Sequence, residues 1–259
     1  MNRKLLPKTL ARKARVEPPV QIDNRVFVVT GASQGIGLST AKVLAARGAK
    51  LALLARSADL LEQLSADIPG SLAVTVDVTD FAALRKSIDQ VHKHFGQIDG
   101  LINNAGRSYA ASVEEIDPVI FDEIFHLNVL APIVAMQAVI PAMRAQGQGS
   151  IVNINSGTAF MTIPHYSVYS SSKRALVGFS FTAREELAKD GIVVSQVYPA
   201  VTATNFGVNR MGVTRPGGPA ADYAKGDTPE FVAGLVVQAI EEGESEYFAN
   251  EHFRQLAGR

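Results

Sequence analysis

The chain contains no cysteine in its 259 residues. Disulfides, thiolate nucleophiles and cysteine-ligated zinc are therefore excluded, and folding does not depend on an oxidising compartment. Net charge is also absent, since Lys plus Arg and Asp plus Glu both number 25. A chain with no global field has nothing in its charge balance to attract nucleic acid. No contiguous apolar run approaches the roughly 20 residues of a membrane span, and the expected location is the cytoplasm. The histidines offer no metal site: His92 and His94 stand two apart in a helical stretch and so point apart, while His126 and His165 are isolated.

What is present is unevenly placed. Arg3, Lys4, Lys8, Arg12, Lys13 and Arg15 all precede the first acidic residue, Glu17, and Pro18-Pro19 follow. Residues 1–22 are read as a basic, flexible tail, solvated in the plainest reading. A peripheral contact with anionic lipid or a targeting role stays open. Residues 23–259 are read as one domain, because that length buries a sizeable core.

Within the domain, short β-branched runs alternate with longer amphipathic stretches. Strands are expected at Arg25–Thr30, Leu51–Ala55, Leu72–Val76, Gly100–Asn103, Ser150–Asn155, Ile192–Tyr198 and, weakly, Glu246–Phe248. Helices are expected at Gly35–Arg47, Asp80–Phe95, Pro118–Arg144, Tyr169–Lys189 and Pro229–Glu242, with Thr79 and Asp117 as candidate N-caps. Central runs such as Val26-Phe27-Val28-Val29 are apolar throughout, as strands buried on both faces are. The alternation predicts an α/β fold: a doubly wound parallel sheet of about seven strands with helices on both faces. In such sheets ligands bind beyond the carboxyl ends of the strands. The Gly- and Pro-rich stretch from Gly207 to Asp227 reads as a long loop, of the kind that often forms a lid.

The segments after each strand carry the chemistry. After the first comes Thr30-Gly31-Ala32-Ser33-Gln34-Gly35-Ile36-Gly37. Glycines there permit a tight turn and close backbone approach, and the following helix aims its first N–H groups at an anion such as a diphosphate. The same residues spell G-x-S-x-G, a hydrolase nucleophile elbow with Ser33. That alternative is poorly supported, because the turn follows the first strand and His252 is the sole late histidine. Tyr169 and Lys173 stand four apart and share a helix face. An ammonium one turn away favours the phenolate of a group whose free pKa is about 10, which suits it to acid/base work. Ser156 ends a strand and can hydrogen-bond a substrate oxygen. After the second strand, Arg56 suits a 2′-phosphate, where an acidic residue would suit a free ribose hydroxyl; NADP(H) is favoured over NAD(H).

Together these residues make the chain resemble the short-chain dehydrogenase/reductase family, whose Rossmann-type fold would cover about Asn24 to the C-terminus. The family's motifs occur in order: the Thr30–Gly37 turn, Asp77, Asn103-Asn104-Ala105-Gly106, Asn128, Ser156 and Tyr169-x-x-x-Lys173. The resemblance implies an oxidoreductase moving a hydride between NADP(H) and a carbonyl or secondary alcohol. Tyr169 would exchange the proton, Lys173 would hold the nicotinamide ribose, and Ser156 would orient the carbonyl. Gly31, Ser33, Gln34, Gly35, Ile36 and Gly37 would cradle the diphosphate, Asp77 and Val78 would contact adenine, and Asn104, Ala105 and Gly106 would line the cleft. Pro199, Thr202 and Thr204 would meet the carboxamide end. Here the family commonly has Pro-Gly and this chain has Pro199-Ala200.

Asn128 would bind a water leading to Lys173. Pro132, four residues on, has no N–H to bond the Asn128 carbonyl, which fits either that role or a simple kink. The resemblance also implies a homodimer or homotetramer through the long helices. A nucleotide-sensing protein without turnover is the competing reading. Phe160, Met161, Ile163, His165, Tyr166, Phe206 and Met211 suggest a bulky apolar substrate, or equally plain core.

Overall fold

A computed structural model describes residues 20–204, 206, 211–212 and 226–259. The basic cluster of the tail and most of the Gly207–Asp227 loop lie outside the described residues. The packed domain begins no later than Val20, since Val20 and Ile22 are both buried in the core. That is slightly earlier than the expected boundary at residue 23.

Strands β1 (Val26–Thr30), β2 (Lys50–Ala55), β3 (Leu72–Thr75) and β4 (Gly100–Asn103) occur in the first half, with the two-residue β5 (Tyr109–Ala110) after them. The second half supplies β6 (Gly149–Ile154), β7 (Ile192–Tyr198), the two-residue β8 (Met211–Gly212) and β9 (Glu246–Phe248). Seven of them form one sheet in the order β3-β2-β1-β4-β6-β7-β9, parallel throughout. β1, β4, β6 and β7 are buried at every position, so their unbroken apolar runs reflect cover on both faces.

That cover comes from helices α1 (Gly35–Ala46), α2 (Ala58–Asp67) and α7 (Pro229–Glu242) on one face, packed through Leu44, Leu61 and Val236. On the other face lie α3 (Phe81–Phe95), α5 (Ala131–Gln146) and α6 (Ser167–Leu187), packed through Ile88, Val139 and Leu187. A third, small cluster joins α4 (Pro118–Phe125) to β5 through Ile124 and Tyr109. The chain ends in α8 (Glu251–Leu256). Strand order reverses between β1 and β4, and the cleft for a ligand opens at their carboxyl ends.

Several local expectations need correction. The N-cap of α3 is Asp80, whose carboxylate accepts from the Ala83 amide at 3.0 Å; Thr79 instead donates to Asp77. The helix expected over Pro118–Arg144 is two α-helices joined by a π-turn at His126–Leu130, where the Ala131 amide reaches back five residues to the His126 carbonyl. Taken as one run, Pro118–Gln146 is long and apolar enough by composition to cross a membrane, although no contiguous apolar stretch suggested it. In this fold 50% of its most apolar window is buried, and it packs on α3, β4 and β6 as a core helix does. Within the expected loop, β8 pairs in parallel with β5, and the Met211 amide donates to the Ser108 carbonyl at 3.0 Å. The loop therefore returns across the segment that follows β4.

Candidate active site

The turn between β1 and α1 is shaped by close approach. Gly31 and Gly35 have φ of 65° and 56°, where side chains are strained. A Cβ on Gly37 would lie 2.3 Å from the Gly31 carbonyl oxygen and 2.5 Å from Asn104 Nδ2. Gln34, at the N-cap of α1, makes no side-chain cap bond, so the first amides of α1 are left for a ligand. Asn104 locks the turn to β4: its Nδ2 donates to the carbonyls of Thr30 at 3.0 Å and Gly31 at 3.1 Å. Thr30 completes the link by accepting the amides of Asn104 and Ala105 on its hydroxyl. The sequence pattern gave no sign of this role for Thr30, because its partners are distant in the chain. Thr204 lies over the same turn, with its methyl 3.1 Å from where a Gly35 Cβ would be.

At the ends of β2 and β3, Arg56 and Asp77 stand together, with Nη1 to Oδ2 at 3.8 Å and the guanidinium side chain 65% exposed. Burial raises the Asp77 pKa, but hydrogen bonds from the Thr79 hydroxyl and amide, with the Arg56 charge, outweigh it and hold the carboxyl below its usual value. Val78 is buried in the core, which leaves its backbone for any ligand contact.

The second half of the site gathers on α6. Lys173 is buried, and its ammonium donates to the Ile154 carbonyl at 2.9 Å, near the end of the strand that leads to Ser156. Among the described residues it has no carboxylate within ion-pair distance. Desolvation lowers its pKa from 10.5 to about 8. The Nζ lies 6.0 Å from the centre of the buried Tyr169 ring. Gly106 sits close by: a Cβ there would be 3.7 Å from Lys173 Nζ and 3.2 Å from Asn128 Oδ1.

Asn128 is fully buried in the π-turn and clamps the segment between β4 and β5, accepting from the Arg107 amide at 3.0 Å and donating to the Arg107 carbonyl at 2.9 Å. Its Nδ2 also donates to Ser172 Oγ on α6 at 3.1 Å. Ser156 begins a short 3₁₀ turn, Gly157–Phe160, and its Oγ accepts from the Thr158 amide at 3.2 Å and the Thr158 hydroxyl at 3.0 Å. With its lone pairs so engaged, the Ser156 hydroxyl has its proton to offer. Arg174 ties α6 to this loop through the carbonyls of Ala159 and Met161, both at 2.7 Å.

Beyond β7, the Pro199 carbonyl accepts from the Gly157 amide, and Thr202 Oγ1 donates to the Ala200 carbonyl. Of the expected pocket side chains, Phe160 belongs to an aromatic cluster with Tyr198 and Phe248, whereas the Phe206 ring lies 5.9 Å from that of Tyr169. Met211 packs into the small cluster around Tyr109. The hydrolase reading finds no support: among the described residues no histidine hydrogen-bonds Ser33, and the His252 ring lies tilted beside its neighbour Phe253 on the C-terminal helix. No group of three or more His, Asp or Glu among the described residues is placed to hold a metal.

Comparison with known proteins agrees with this geometry. The family model for short chain dehydrogenase matches residues 25–211. The chain is 33% identical over 236 residues to dehydrogenase/reductase SDR family member 7B of Mus musculus, covering 87% of this chain and 73% of that protein. A short-chain dehydrogenase structure from Streptomyces avermitilis superposes with a TM-score of 0.80 at 28% identity, covering 91% of each chain. An alcohol dehydrogenase from Thermococcus sibiricus, solved with 5-hydroxy-NADP, superposes with a TM-score of 0.75 at 25% identity, covering 87% of this chain and 95% of that one. The glycine cradle, the buried Lys173 beside Tyr169 and these likenesses together identify the chain as a member of the short-chain dehydrogenase/reductase family of oxidoreductases.

Proposed function

We propose that the protein is an NADP(H)-dependent carbonyl reductase, or alcohol dehydrogenase in reverse, with Tyr169 as proton donor and acceptor. The observation that carries this reading is the buried Lys173 ammonium. It has no carboxylate partner among the described residues and stands 6.0 Å from the Tyr169 ring. A buried cation without a carboxylate partner costs the fold stability, and such groups concentrate at functional sites; here the ammonium would stabilise the phenolate formed when Tyr169 gives up its proton. Ser156 donates its hydroxyl proton to the substrate oxygen and holds it toward Tyr169. Asn128, clamped on the Arg107 backbone, fixes the cleft wall beside Lys173 and, with a water, would pass protons to it.

The residues present fit a nicotinamide dinucleotide. A side chain on Gly37 would fill the cradle against Asn104, and the open N-terminus of α1 suits a diphosphate. Gly31 to Gly37 would hold the diphosphate, Asp77 and the Val78 backbone the adenine, Asn104 to Gly106 and Lys173 the ribose, and Pro199, Thr202 and Thr204 the carboxamide. When bound, the cofactor supplies or takes the hydride. The reading of NADP(H) is supported by Arg56, largely exposed and held only loosely by Asp77 at 3.8 Å, whose planar guanidinium would pair a 2′-phosphate in bidentate fashion. The exposed apolar side chains Val119, Leu130 and Phe179 favour a homo-oligomer formed through α4, the π-turn that follows it, and α6.

A panel of ketones and aldehydes assayed for NADPH oxidation, with wild type and Tyr169→Phe in parallel, tests the reading. Turnover of at least one carbonyl by wild type and its loss in the variant are expected. Cofactor binding without turnover in both would favour a nucleotide-sensing protein.

A further inference from the structure

The C-terminal helix α8 contributes no side chain to any of the three core clusters, and none of its residues is fully buried. Yet it is held in place at both ends. Just before it, the Ala249 amide donates to the Tyr198 carbonyl at 3.1 Å, and Asn250 caps the helix by accepting from the Phe253 amide at 3.0 Å. Past its other end, Arg259 pairs with Glu246 on β9 at 2.6 Å and lies 5.4 Å over the Phe181 ring of α6. Glu246 in turn accepts from the Tyr198 hydroxyl at 3.0 Å. A helix fixed this firmly, with so little apolar area to bury, has its contact elsewhere than in the core.

That contact is Phe253 on Gly157, the residue after Ser156. A Cβ on Gly157 would lie 2.3 Å from Phe253 Cε2 and 2.4 Å from Cζ, so the ring rests directly on the glycine backbone. The 3₁₀ turn that carries Ser156 is then held from several sides. The Gly157 amide donates to the Pro199 carbonyl at 3.1 Å, the Ala159 amide to the Ser156 carbonyl at 3.0 Å, and the Phe160 ring packs tilted against Tyr198 with centroids 5.0 Å apart. Phe253 fills the one place in this turn where a side chain is missing. Removing the ring would leave Gly157 unsupported and let Ser156 Oγ drift from the direction that the Thr158 amide and hydroxyl set. A displacement on the order of 1 Å in such a group can cost about a hundredfold in rate.

We infer that Phe253 of α8 is a positioning residue for Ser156, acting through Gly157, so that the C-terminal helix is part of the catalytic apparatus. The inference rests on the proposed role of Ser156 in carbonyl reduction. The test is a double-mutant cycle on the full chain with Phe253→Ala and Ser156→Ala, read by single-turnover rates on an accepted ketone. Melting temperature and NADPH affinity by fluorescence titration are measured alongside.

Phe253→Ala is expected to slow hydride transfer about tenfold with NADPH affinity within about twofold, and Phe253→Leu, which keeps apolar bulk on Gly157, to recover most of the rate. In the Ser156→Ala background, Phe253→Ala is expected to change the rate less than about twofold, since the group it positions is gone. If Phe253→Ala fails to fold, Gly157→Ala, which forces the ring away while keeping it, is expected to give the same tenfold loss. An equal loss in both backgrounds, or no loss in wild type, overturns the positioning role. An unaltered rate in Ser156→Ala alone overturns instead the role of Ser156.

Discussion

Replacing Lys173 by Met separates stability from activity in a way that only a buried, functional cation explains. The ammonium is buried with its pKa lowered by desolvation from 10.5 to about 8. At about 1.4 kcal/mol per pKa unit, that difference amounts to about 3 kcal/mol of cost to the folded state at pH 7. Met has similar volume and no charge, but it gives up a hydrogen bond from a charged donor to the Ile154 carbonyl, worth about 1.5–3 kcal/mol. The variant is therefore expected to be as stable as wild type or up to about 1.5 kcal/mol more stable at pH 7, a rise in Tm of up to roughly 3–6 °C for a chain of this size, while turnover is lost.

The pH dependence follows from the direction of the shift. Below pH 8 both folded and unfolded chains keep the proton, and the cost is present in full. Between pH 8 and 10.5 the folded chain releases it and the unfolded chain keeps it, so wild-type stability rises with pH. Above 10.5 neither holds it, and the advantage of Met disappears. Differential scanning calorimetry of both proteins from pH 7 to pH 10.5 measures this. A variant less stable than wild type at pH 7, or a Tm difference constant across that range, would refute the claim that Lys173 is a buried ion without a carboxylate partner.

Tyr169→Phe removes one hydroxyl from a buried ring and is expected to reduce kcat by roughly 10²–10⁴-fold with NADPH affinity unchanged, checked by steady-state kinetics and cofactor titration. Arg56→Asp is expected to reverse a wild-type preference for NADPH: a charge-assisted pair contributes about 1.5–3 kcal/mol, or ten- to a hundredfold in affinity, and the new carboxylate repels the 2′-phosphate. Equal kcat/KM for both cofactors in wild type would count against NADP(H) and leave the family untouched. Gly37→Ala places a methyl 2.3 Å from the Gly31 carbonyl and is expected to abolish cofactor binding in calorimetric titration, while Gly178→Ala, at a position with open space, leaves it intact.

The sequence showed most clearly what depends on a run of like residues. Gly100–Asn103, Ile192–Tyr198 and Pro229–Glu242 occur as read, because fully buried strands and an amphipathic helix leave strong local signals; Glu246–Phe248, partly buried and weak in the sequence, also occurs. α2 went unread: it buries only Leu61 and Leu64, too thin a stripe to stand out. The proline at 132 announced a break in the long helix, but the break takes the form of a π-turn centred on Asn128, which no periodicity describes. The candidate catalytic set, Ser156, Tyr169 and Lys173, was legible as a motif on one helix and one strand end. Its supports were not: Thr30 under Asn104, Asn128 across from Arg107, and Phe253 on Gly157 are pairings between distant parts of the chain. Such pairings exist only once the sheet order brings strand ends together.

The most direct measurement of the central claim is deuteride transfer. Wild-type protein, NADPH carrying deuterium at the reactive carbon of the nicotinamide on either face, and a ketone panel are incubated, and the product alcohols are examined by mass spectrometry. Deuterium is expected on the carbinol carbon of at least one alcohol from one face only, and none with Tyr169→Phe on the same timescale. Firm NADPH binding with no deuterium in any alcohol, or equal transfer by Tyr169→Phe, would contradict the claim.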